Sequence, residues 1–424
     1  MTIRARSFAL TFSAAMLASS ALTPAALAQA LQNYVLENVT TKSKDGLSDI
    51  MIPRIEMTGT NVSRADLERL MTPDMTPEAR AEIMSNMQAQ RMFVPQVNIT
   101  RTGKESGRFM LRDYLVVNLD RARFDRISLG GIQGTMSGKD KQEGTFSAGQ
   151  ITLEGGDFTK VVAAAKAGNA ADGVAKLRLF NWSGFELAVP DDKTPASAPG
   201  GNMFRFGMKS ATAKTDYSGD LPTKAVASFD GMFFVAPPSS QAGAMISSFG
   251  YNRLEFGLNF DGSYNPSNRT FGLTNYSLTG LNAGSLALSG GFTELDGSAF
   301  TGTMMGRLGS LMKSKISAFN LRYVDAGLFD KSLAFYAKTQ GKDPVSVRKE
   351  WSMMIVGMLP MVMGGDPAAL KLSEALSAFV SQPKSLNISL KGKNGPVAIS
   401  DLATLSKNPM ALLSMVEITA VANK

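Results

Sequence analysis

The sequence predicts an α+β fold, mostly antiparallel β-meander, in which a curved sheet packs against a C-terminal helical block. Apolar and polar residues alternate with a period of two over long stretches from Val94 onward, as is typical of half-buried strands. The chain has 40 glycines, and many of them separate these stretches as turn residues of a meander would. Three helices with clear start and stop signals follow between residues 327 and 382.

The first thirty residues have the pattern of a secretory signal. Arg4 and Arg6 precede an apolar stretch, Phe8–Leu22, and small residues after it form an A-x-A cleavage site. The alternative is an uncleaved anchor, but the stretch is shorter than the roughly 20 apolar residues that a membrane span needs. We therefore expect a periplasmic protein that is cleaved after Ala28 or Ala30 and does not span the membrane.

The mature chain is predicted to contain four regions in sequence. They are an N-terminal β-rich region with helices near 61–92 (31–190), a linker rich in proline and glycine (191–202), a second β-meander (203–326), and a helical block with a terminal hairpin and strand (327–424).

Capping residues set the predicted helix starts in the N-terminal region. Asn61 is placed to cap a helix that runs to Leu70. Thr76, followed by Pro77 at the first helical position, begins a second helix that runs to about Met92.

The C-terminal block is predicted from the same kind of signal. Its three helices run from about Gly327 to Thr339, from Asp343-Pro344 to near Gly364, and from Asp366-Pro367 to just before Pro383. Alternating residues on both sides of Asn394-Gly395 predict a hairpin, because Asn-Gly is a favoured two-residue turn. A short helix at Asn408-Pro409 and a strand at 416–421 follow.

A faint internal repeat links the two β regions. Residues 148–156 match 283–291, each as a strand that ends in a double glycine read as a turn, and residues 177–184 match 321–327 in the same order. The matches indicate either two related β-plus-helix halves or a coincidence between glycine-rich strands.

The composition excludes several classes of function. The chain contains no histidine and no cysteine, which removes Ser-His-Asp and Cys-His catalysis, zinc hydrolysis, thiol redox chemistry and haem ligation. Loss of Arg4 and Arg6 leaves 42 basic and 36 acidic residues, a mild charge of +6. That charge favours anionic envelope surfaces over nucleic acid. We expect no cofactor.

Sequence motifs give little support for catalysis. Walker A, G-x-G-x-x-G and G-x-S-x-G sequences are absent, and three S-x-x-K matches lack their companion motifs. Paired carboxylates would leave no sequence spacing, so a carboxylate-based hydrolase stays open as a third interpretation.

Methionine is enriched, with 25 residues. Two clusters lie in predicted helices: Met71, Met75, Met84, Met87 and Met92, and then Met353, Met354, Met358, Met361 and Met363. Core packing is the leading interpretation. An adaptable apolar groove and a Cu(I) thioether site are the alternatives.

The segment from Trp351 to Gly365 carries no charge and is too short to span a bilayer. A helix that is apolar on every side is normally buried on every side, so a central helix wrapped by sheet is expected. The alternatives are a lipid-cavity wall or a membrane-surface contact. The candidate ligand-lining residues are Trp351, Met354, Ile355, Met358, Leu359 and Met361.

A basic cluster between Arg101 and Arg126 is predicted to lie on strands. Seven positive residues occur there, including Lys104. On strands they would form one arginine-rich face suited to phosphate groups, and a solvated outer face is the alternative. The candidate anionic-headgroup residues are Arg101, Arg108, Arg112, Arg121 and Arg123.

The segment Phe319–Asp330, followed by an amphipathic helix and an Asp-Pro-capped helix, resembles a C-terminal module of uncharacterised exported proteins of alphaproteobacteria. The β-meander is also similar to the repetitive β regions of AsmA-type envelope proteins. The second resemblance implies an association with lipid movement. Neither resemblance supplies functional residues, and the anchor usual in AsmA-type proteins is not predicted in the mature chain.

These observations favour a non-catalytic periplasmic protein. Its expected ligand is apolar or amphipathic, an envelope lipid held between sheet and helices. The alternative is an envelope assembly or scaffold protein whose partner is another protein.

Overall fold

The computed structural model describes residues 31–43, 45–73, 75–103, 106–137, 142–169, 172–198, 200–404 and 414–424. These residues form twenty strands and ten helices. The predicted fold class, α+β and rich in antiparallel strands with helices mostly towards the C terminus, is confirmed. The signal segment, Lys104 and the helix expected at Asn408-Pro409 lie outside the described residues.

The chain divides into two compact units. Unit 1 holds the residues up to Asp192 together with Lys209–Lys214, and unit 2 holds Lys193–Met208 and Thr215–Lys424. The first break therefore falls within the segment expected to be a linker. The second β-meander and the helical block, which were predicted as separate regions, belong to one unit.

Unit 1 is built on ten strands with three helices. The elements are β1 (Gln32–Lys42), β2 (Ser48–Thr60), α1 (Arg64–Leu70), α2 (Pro77–Met84), β3 (Gln88–Arg101), β4 (Ser106–Asp120), β5 (Arg123–Leu129), β6 (Gly131–Ser137), β7 (Glu143–Ala148), β8 (Ile151–Asp157), α3 (Thr159–Lys166), β9 (Lys176–Trp182) and β10 (Phe185–Pro190).

Strands β1 to β4 of unit 1 pair in sequence order, and both β5 and β6 pair with β4. The next two strands continue this arrangement side by side, since β8 pairs with β5 and β7 pairs with β6. Strands β9 and β10 then pair with β8 and β7, and the start of β12 (Ser210–Ser218) pairs with β9.

The ladder of backbone hydrogen bonds in unit 1 is interrupted at neighbouring positions in successive strands. Pro53 and Pro95 have no N–H to donate, and Asp113, opposite Pro95, has a φ of 55°. Gly130 separates β5 from β6, and Gly149 separates β7 from β8. Separate hydrophobic clusters gather on the two sides of this line, one around Leu36 and Met57 and one around Leu111 and Ile132.

The helix caps of unit 1 only partly follow the sequence prediction. Ser63 caps α1 in place of Asn61, because the Asn61 side chain accepts from the Gln88 backbone N–H at 2.8 Å and so joins two strands. Thr76 caps α2 as predicted. The helix ends at Met84 instead of Met92, since β3 begins at Gln88.

The first methionine cluster packs as core, as expected. Met87 is buried in the cluster that α1 and α2 form with the sheet, and Met71, Met75 and Met92 pack against it. Met84 belongs to a different cluster with Ala81 and Val162. The spacing of Met84 and Met87 therefore does not place two thioethers in one site.

Unit 2 contains the remaining strands and helices. They are β11 (Met203–Met208), the end of β12, β13 (Leu221–Val235), α4 (Gln241–Ser248), β14 (Leu254–Asn265), β15 (Thr270–Gly280), β16 (Gly284–Thr293), α5 (Ser298–Thr301), α6 (Met304–Lys313), β17 (Lys315–Asp325), α7 (Leu328–Thr339), α8 (Pro344–Val362), α9 (Pro367–Ser381), β18 (Ser385–Gly392), β19 (Val397–Ala398), α10 (Ile399–Thr404) and β20 (Val416–Ala422).

The sheet of unit 2 has the order β11-β13-β14-β15-β16-β17-β18-β20, and helices lie in the β13–β14, β16–β17 and β17–β18 connections. Because the strands alternate in direction, α4 and the α7–α9 block lie at one end of the sheet. The rings of Phe249 and Phe335 stack there at 4.6 Å. The α5–α6 connection lies at the opposite end.

The predicted terminal hairpin is wrong. Val397 and Ala398 pair with Ile316 and Lys315 of β17, and β18 pairs with the rest of β17. Strand β19 therefore continues along β17 and does not fold back on β18. The three predicted helices and the last strand are present, with Asp343 and Asp366 as caps.

The two halves of the sequence repeat occupy similar but not equivalent places. Both double glycines lie inside strands, β8 and β16, and not in turns. Each of these strands pairs with the next strand of the repeat. The registers of the two strand pairs differ. Leu153 pairs with Phe180, and the sequence match would place Val324 opposite Leu288, but Leu288 pairs with Leu321, three residues away.

Two methionines of β2 test the fold of unit 1. Met57 is 1% exposed and Met51 is 46% exposed. Met57→Ala is expected to lower the free energy of unfolding by about 2–5 kcal/mol, since it leaves a cavity in a packed cluster. Met51→Ala is the matched control, with an expected change below about 0.5 kcal/mol. Urea unfolding followed by Trp182 fluorescence, in a Trp351→Phe background, measures both. Equal losses would contradict the burial of Met57 and the exposure of Met51.

Candidate functional site

One face of the unit 2 sheet is apolar across its whole width. Phe256, Leu258 and Phe260 alternate along β14, so they project to the same side. The strand register places apolar residues beside them on every neighbouring strand. These are Phe206, Phe229, Met232, Phe234, Tyr276, Leu278, Leu286, Leu288, Phe319, Leu321, Tyr323, Leu386, Ile388, Leu390, Ile418 and Ala420.

The other face of the same sheet is polar. Glu255, Asn259 and Asp261 alternate with the apolar residues of β14. On β15, Ser277 and Thr279 alternate with Tyr276 and Leu278. An antiparallel sheet with this alternation is expected to have one solvated face and one covered face.

The helices of unit 2 cover only part of the apolar face. Helix α9 packs over β17, β18 and β20, where Phe379 lies 5.7 Å from Tyr323. At the far end of the sheet, Phe300 of α5 covers Tyr264 and Phe271.

The middle of the apolar face is not buried. We call this region the open face. It consists of Phe229, Met232, Phe256, Leu258, Phe260, Tyr276, Leu278, Leu286 and Leu288, all of which are partly or largely exposed. Phe256, Tyr276 and Leu278 reach exposed fractions of 38–42%. Aromatic and aliphatic groups in this number form a continuous apolar surface, which marks binding sites more often than plain surface.

The edge between the covered and the open part is fixed by Asp325, at the end of β17. Its carboxylate accepts from the Tyr323 hydroxyl at 2.6 Å and from the backbone N–H groups of Gly327 and Phe329 at 2.7 and 2.9 Å. Gly327 has a φ of 104°, which side chains other than glycine rarely adopt. Burial, and next the Asp325 carboxylate, raise the pKa of Tyr323.

Arg348 joins the three helices of the block. It donates to Asp330 of α7 at 2.5 Å and to the Val380 carbonyl of α9 at 2.6 Å. Phe329 and Phe379 pack edge to face at 5.3 Å beside it. The segment Phe319–Asp330 thus builds the junction that holds the helical block against the sheet.

The expectation that the uncharged helix is buried is wrong for most of its surface. Helix α8 contacts α7 through Val347 and Trp351 and contacts α9 through Ser352. The opposite side faces solvent, and it carries Met353, Met354, Val356, Met358, Met361 and Val362, each more than half exposed. The prediction failed because it took the absence of charge as a sign of burial.

The six candidate ligand-lining residues do not line one cavity. Trp351, Ile355 and Leu359 are half-buried on the inner side of α8. Met354, Met358 and Met361 lie on the outer, exposed side. The open face on β13–β16 was missed as a site, although the alternation of β14 was visible, because sequence shows the apolar side of a strand and not what covers it.

The five candidate arginines are not brought together on one face. Arg101 is turned inward and pairs with Asp45 at 3.2 Å. Arg108 and Arg112 are exposed on one side of β4. Arg121 and Arg123 lie at the β4–β5 turn, where Arg123 pairs with Asp157 at 3.2 Å.

Arg121 lies beside Asp120, with 3.8 Å between its Nε and a carboxylate oxygen, and Arg126 stands opposite Glu154. Arg101, Arg108/Arg112 and Arg121/Arg123 therefore occupy three separate places. The single arginine-rich face is wrong, since strand β4 is long enough to separate its two ends.

Within the described residues, no helix is long and apolar enough to cross a membrane. Nor do three acidic side chains in that part of the chain converge on a point where a metal ion could be held.

The C-terminal part of the chain is similar to a known protein family. Residues 277–423 match a family model that is described only as an uncharacterized protein. The match begins within β15, extends through β20 and includes the Phe319–Asp330 junction. No curated protein matches the chain.

Two valines of α8 test its orientation. Val347 is fully buried and Val356 is 53% exposed. Val347→Ala is expected to lower the free energy of unfolding by about 1–3 kcal/mol, from the lost methyl burial and the cavity left behind. Val356→Ala, the same change on the same helix, is expected to cost less than about 0.5 kcal/mol. Denaturant unfolding monitored by Trp351 fluorescence, in a Trp182→Phe background, compares the two. A large loss for Val356→Ala would show that the outer side of α8 is packed.

Proposed function

We propose that this protein is a non-catalytic periplasmic binding protein whose unit 2 holds an apolar or amphipathic envelope ligand, a lipid, on the open face. One observation carries the proposal: the apolar side of the sheet is continued past the helical cover by nine aromatic and aliphatic residues that stay accessible.

Transfer of a hydrocarbon chain from water to such a surface is favourable. Each CH₂ group that becomes buried contributes about 0.8 kcal/mol. The rings of Phe256, Phe260 and Tyr276 offer flat contact area, and Met232 can adapt its shape to different chains. The exposed methionines on the outer side of α8 form a second accessible apolar surface within the same unit.

The chemistry of the open face favours binding over catalysis. Its side chains are hydrocarbon, aromatic or thioether, and the Tyr276 hydroxyl is the polar group among them. An acid, base or nucleophile for hydrolysis would have to come from outside this surface. The secretion signal predicted from the first thirty residues and the resemblance to AsmA-type proteins support a lipid of the cell envelope as the ligand.

Two aspartate substitutions on opposite faces of the sheet test the proposal. Leu278 lies on the open face and Val226 lies on the polar face, with exposed fractions of 42% and 41%. Leu278→Asp is expected to weaken binding of a dansyl-labelled fatty acid by about tenfold or more, because a charge is placed under the chain. Val226→Asp is expected to leave binding unchanged. Fluorescence titration of the purified mature protein measures both.

Native mass spectrometry of protein purified from its own host provides a second readout. A lipid adduct is expected on the wild type and on Val226→Asp, and its loss is expected on Leu278→Asp. If no lipid co-purifies and the two variants bind the fatty acid equally, the ligand proposal fails. The open face would then serve as a contact for another envelope protein, in line with the scaffold interpretation.

A further inference from the structure

Helix α6 of unit 2 turns its apolar side to solvent and its polar side to the protein. Met304, Met305, Leu308, Leu311 and Met312 recur at the spacing of one helix face, and all are exposed, with fractions from 40% to 77%. The helix rests on the protein through its polar and small residues instead. An amphipathic helix of a water-soluble domain normally has the opposite orientation.

The inner side of α6 is held by polar contacts. Ser310 is 7% exposed, and its hydroxyl donates to the Asp296 carbonyl at 3.1 Å. Thr303 caps the helix by accepting from the Gly306 N–H at 3.2 Å. The outward direction of the apolar side is therefore fixed by packing and hydrogen bonds, not by a lack of contacts.

The charges on α6 are both positive. Arg307 and Lys313 stand on either side of the apolar stripe, and the helix contains no acid. A helix with an apolar face bordered by basic residues is the pattern of an element that lies in a membrane interface.

A polar pocket of about 510 Å³ lies next to the inner side of α6. Arg269 and Lys313 supply positive charge to its wall. Its two acids are already engaged, since Glu294 accepts from Lys315 at 2.7 Å and Asp296 accepts from the Ser298 N–H at 2.9 Å. The pocket wall therefore balances two cations with two acids, and the preference for an anionic surface rests on Arg307 and Lys313, which border the apolar stripe.

We propose that α6 docks unit 2 on the surface of an anionic membrane. The side chains of Met304, Met305, Leu308, Leu311 and Met312 insert among the acyl chains, and Arg307, Lys313 and Arg269 lie at the level of the phosphates. The docking surface is distinct from the open face and does not require that a ligand is bound there.

Two glutamate substitutions at exposed methionines test the docking. Met305 of α6 is 77% exposed, and Met245 of α4, at the other end of the sheet, is 62% exposed. The mature wild-type protein is expected to sediment together with vesicles of phosphatidylglycerol and phosphatidylcholine. The fraction of protein that sediments is expected to fall at high salt. Met305→Glu is expected to lower the partition coefficient by about tenfold or more, because a buried apolar contact becomes a charge. Met245→Glu is expected to bind as the wild type does.

Further measurements separate the membrane from other occupants. Lys313→Gln is expected to weaken binding to the anionic vesicles and to leave binding to pure phosphatidylcholine unchanged. The melting temperature of Met305→Glu is expected to equal that of the wild type. A drop of several degrees would show that another segment of the chain covers α6, and a wild-type dimer that Met305→Glu dissociates would show that a second copy does.

Either of those results, or a wild type that does not bind the vesicles, overturns the proposal. Leu278→Asp on the open face is expected to keep full vesicle binding. Failure of docking and failure of the ligand proposal are therefore seen in different variants.

Discussion

The structure of unit 2 depends on one constraint: an eight-stranded sheet whose apolar side runs across its whole width, with too few helices to cover it. Helix α9 shields the edge at β18 and β20, and α5 shields one corner around Tyr264. The area between them stays in contact with water. An apolar surface of this kind is unfavourable in water and usually marks a binding site. The features that suggest a binding role all derive from this imbalance between sheet and helices.

The border of that open area is fixed by polar groups. Asp325 uses both carboxylate oxygens to end β17 and to start α7, and Arg348 then ties α7, α8 and α9 to each other. These are charge-assisted bonds with several partners, half-buried at Asp325 and exposed at the Arg348–Asp330 pair, and their geometry defines direction more sharply than apolar packing does. A rigid junction beside an accessible apolar surface keeps that surface from collapsing onto the helices.

The match to an uncharacterized family covers this junction together with the end of β15 and all of β16, but it begins after β13 and β14. The matched region therefore contains α6, the helical block and three of the nine residues of the open face, Leu278, Leu286 and Leu288. The remaining residues of the open face, such as Phe229 and Phe256, come from the part of the chain before the match.

Local signals in the sequence predicted much of the fold. Thr76, Asp343 and Asp366 were identified as caps because capping depends on a residue and its next three neighbours. Asn61 was misassigned, since its side chain bonds to Gln88, a partner that is remote in sequence. The terminal hairpin failed for the same reason: Asn394-Gly395 permits a turn, but both flanking strands pair with β17, which is remote in sequence.

The candidate site was harder to predict, because exposure depends on the arrangement of elements. Met87 and Met358 stand in similar apolar patterns, yet one lies in the core and the other on the surface. The spacing from Met304 to Met312 predicts an apolar helix face but not its direction, which is set by Ser310 and its bond to Asp296. Arg101, Arg108, Arg112 and Arg123 lie on strands as predicted, but Arg121 lies in the β4–β5 turn, and the length of β4 separates it from Arg112.

The connectivity of unit 2 has a consequence for how the chain folds. From β13 to β18, every strand pairs with the strand that directly precedes it, and the helices lie within the connections. From β13 to β17 these contacts close short connections, so little entropy is lost in forming each pair, whereas the β17–β18 pair closes the longer connection that contains α7–α9. A chain that emerges with its N terminus first can add each strand as it appears. The unfinished sheet then exposes a single growing edge, which limits the time during which it can pair with another molecule.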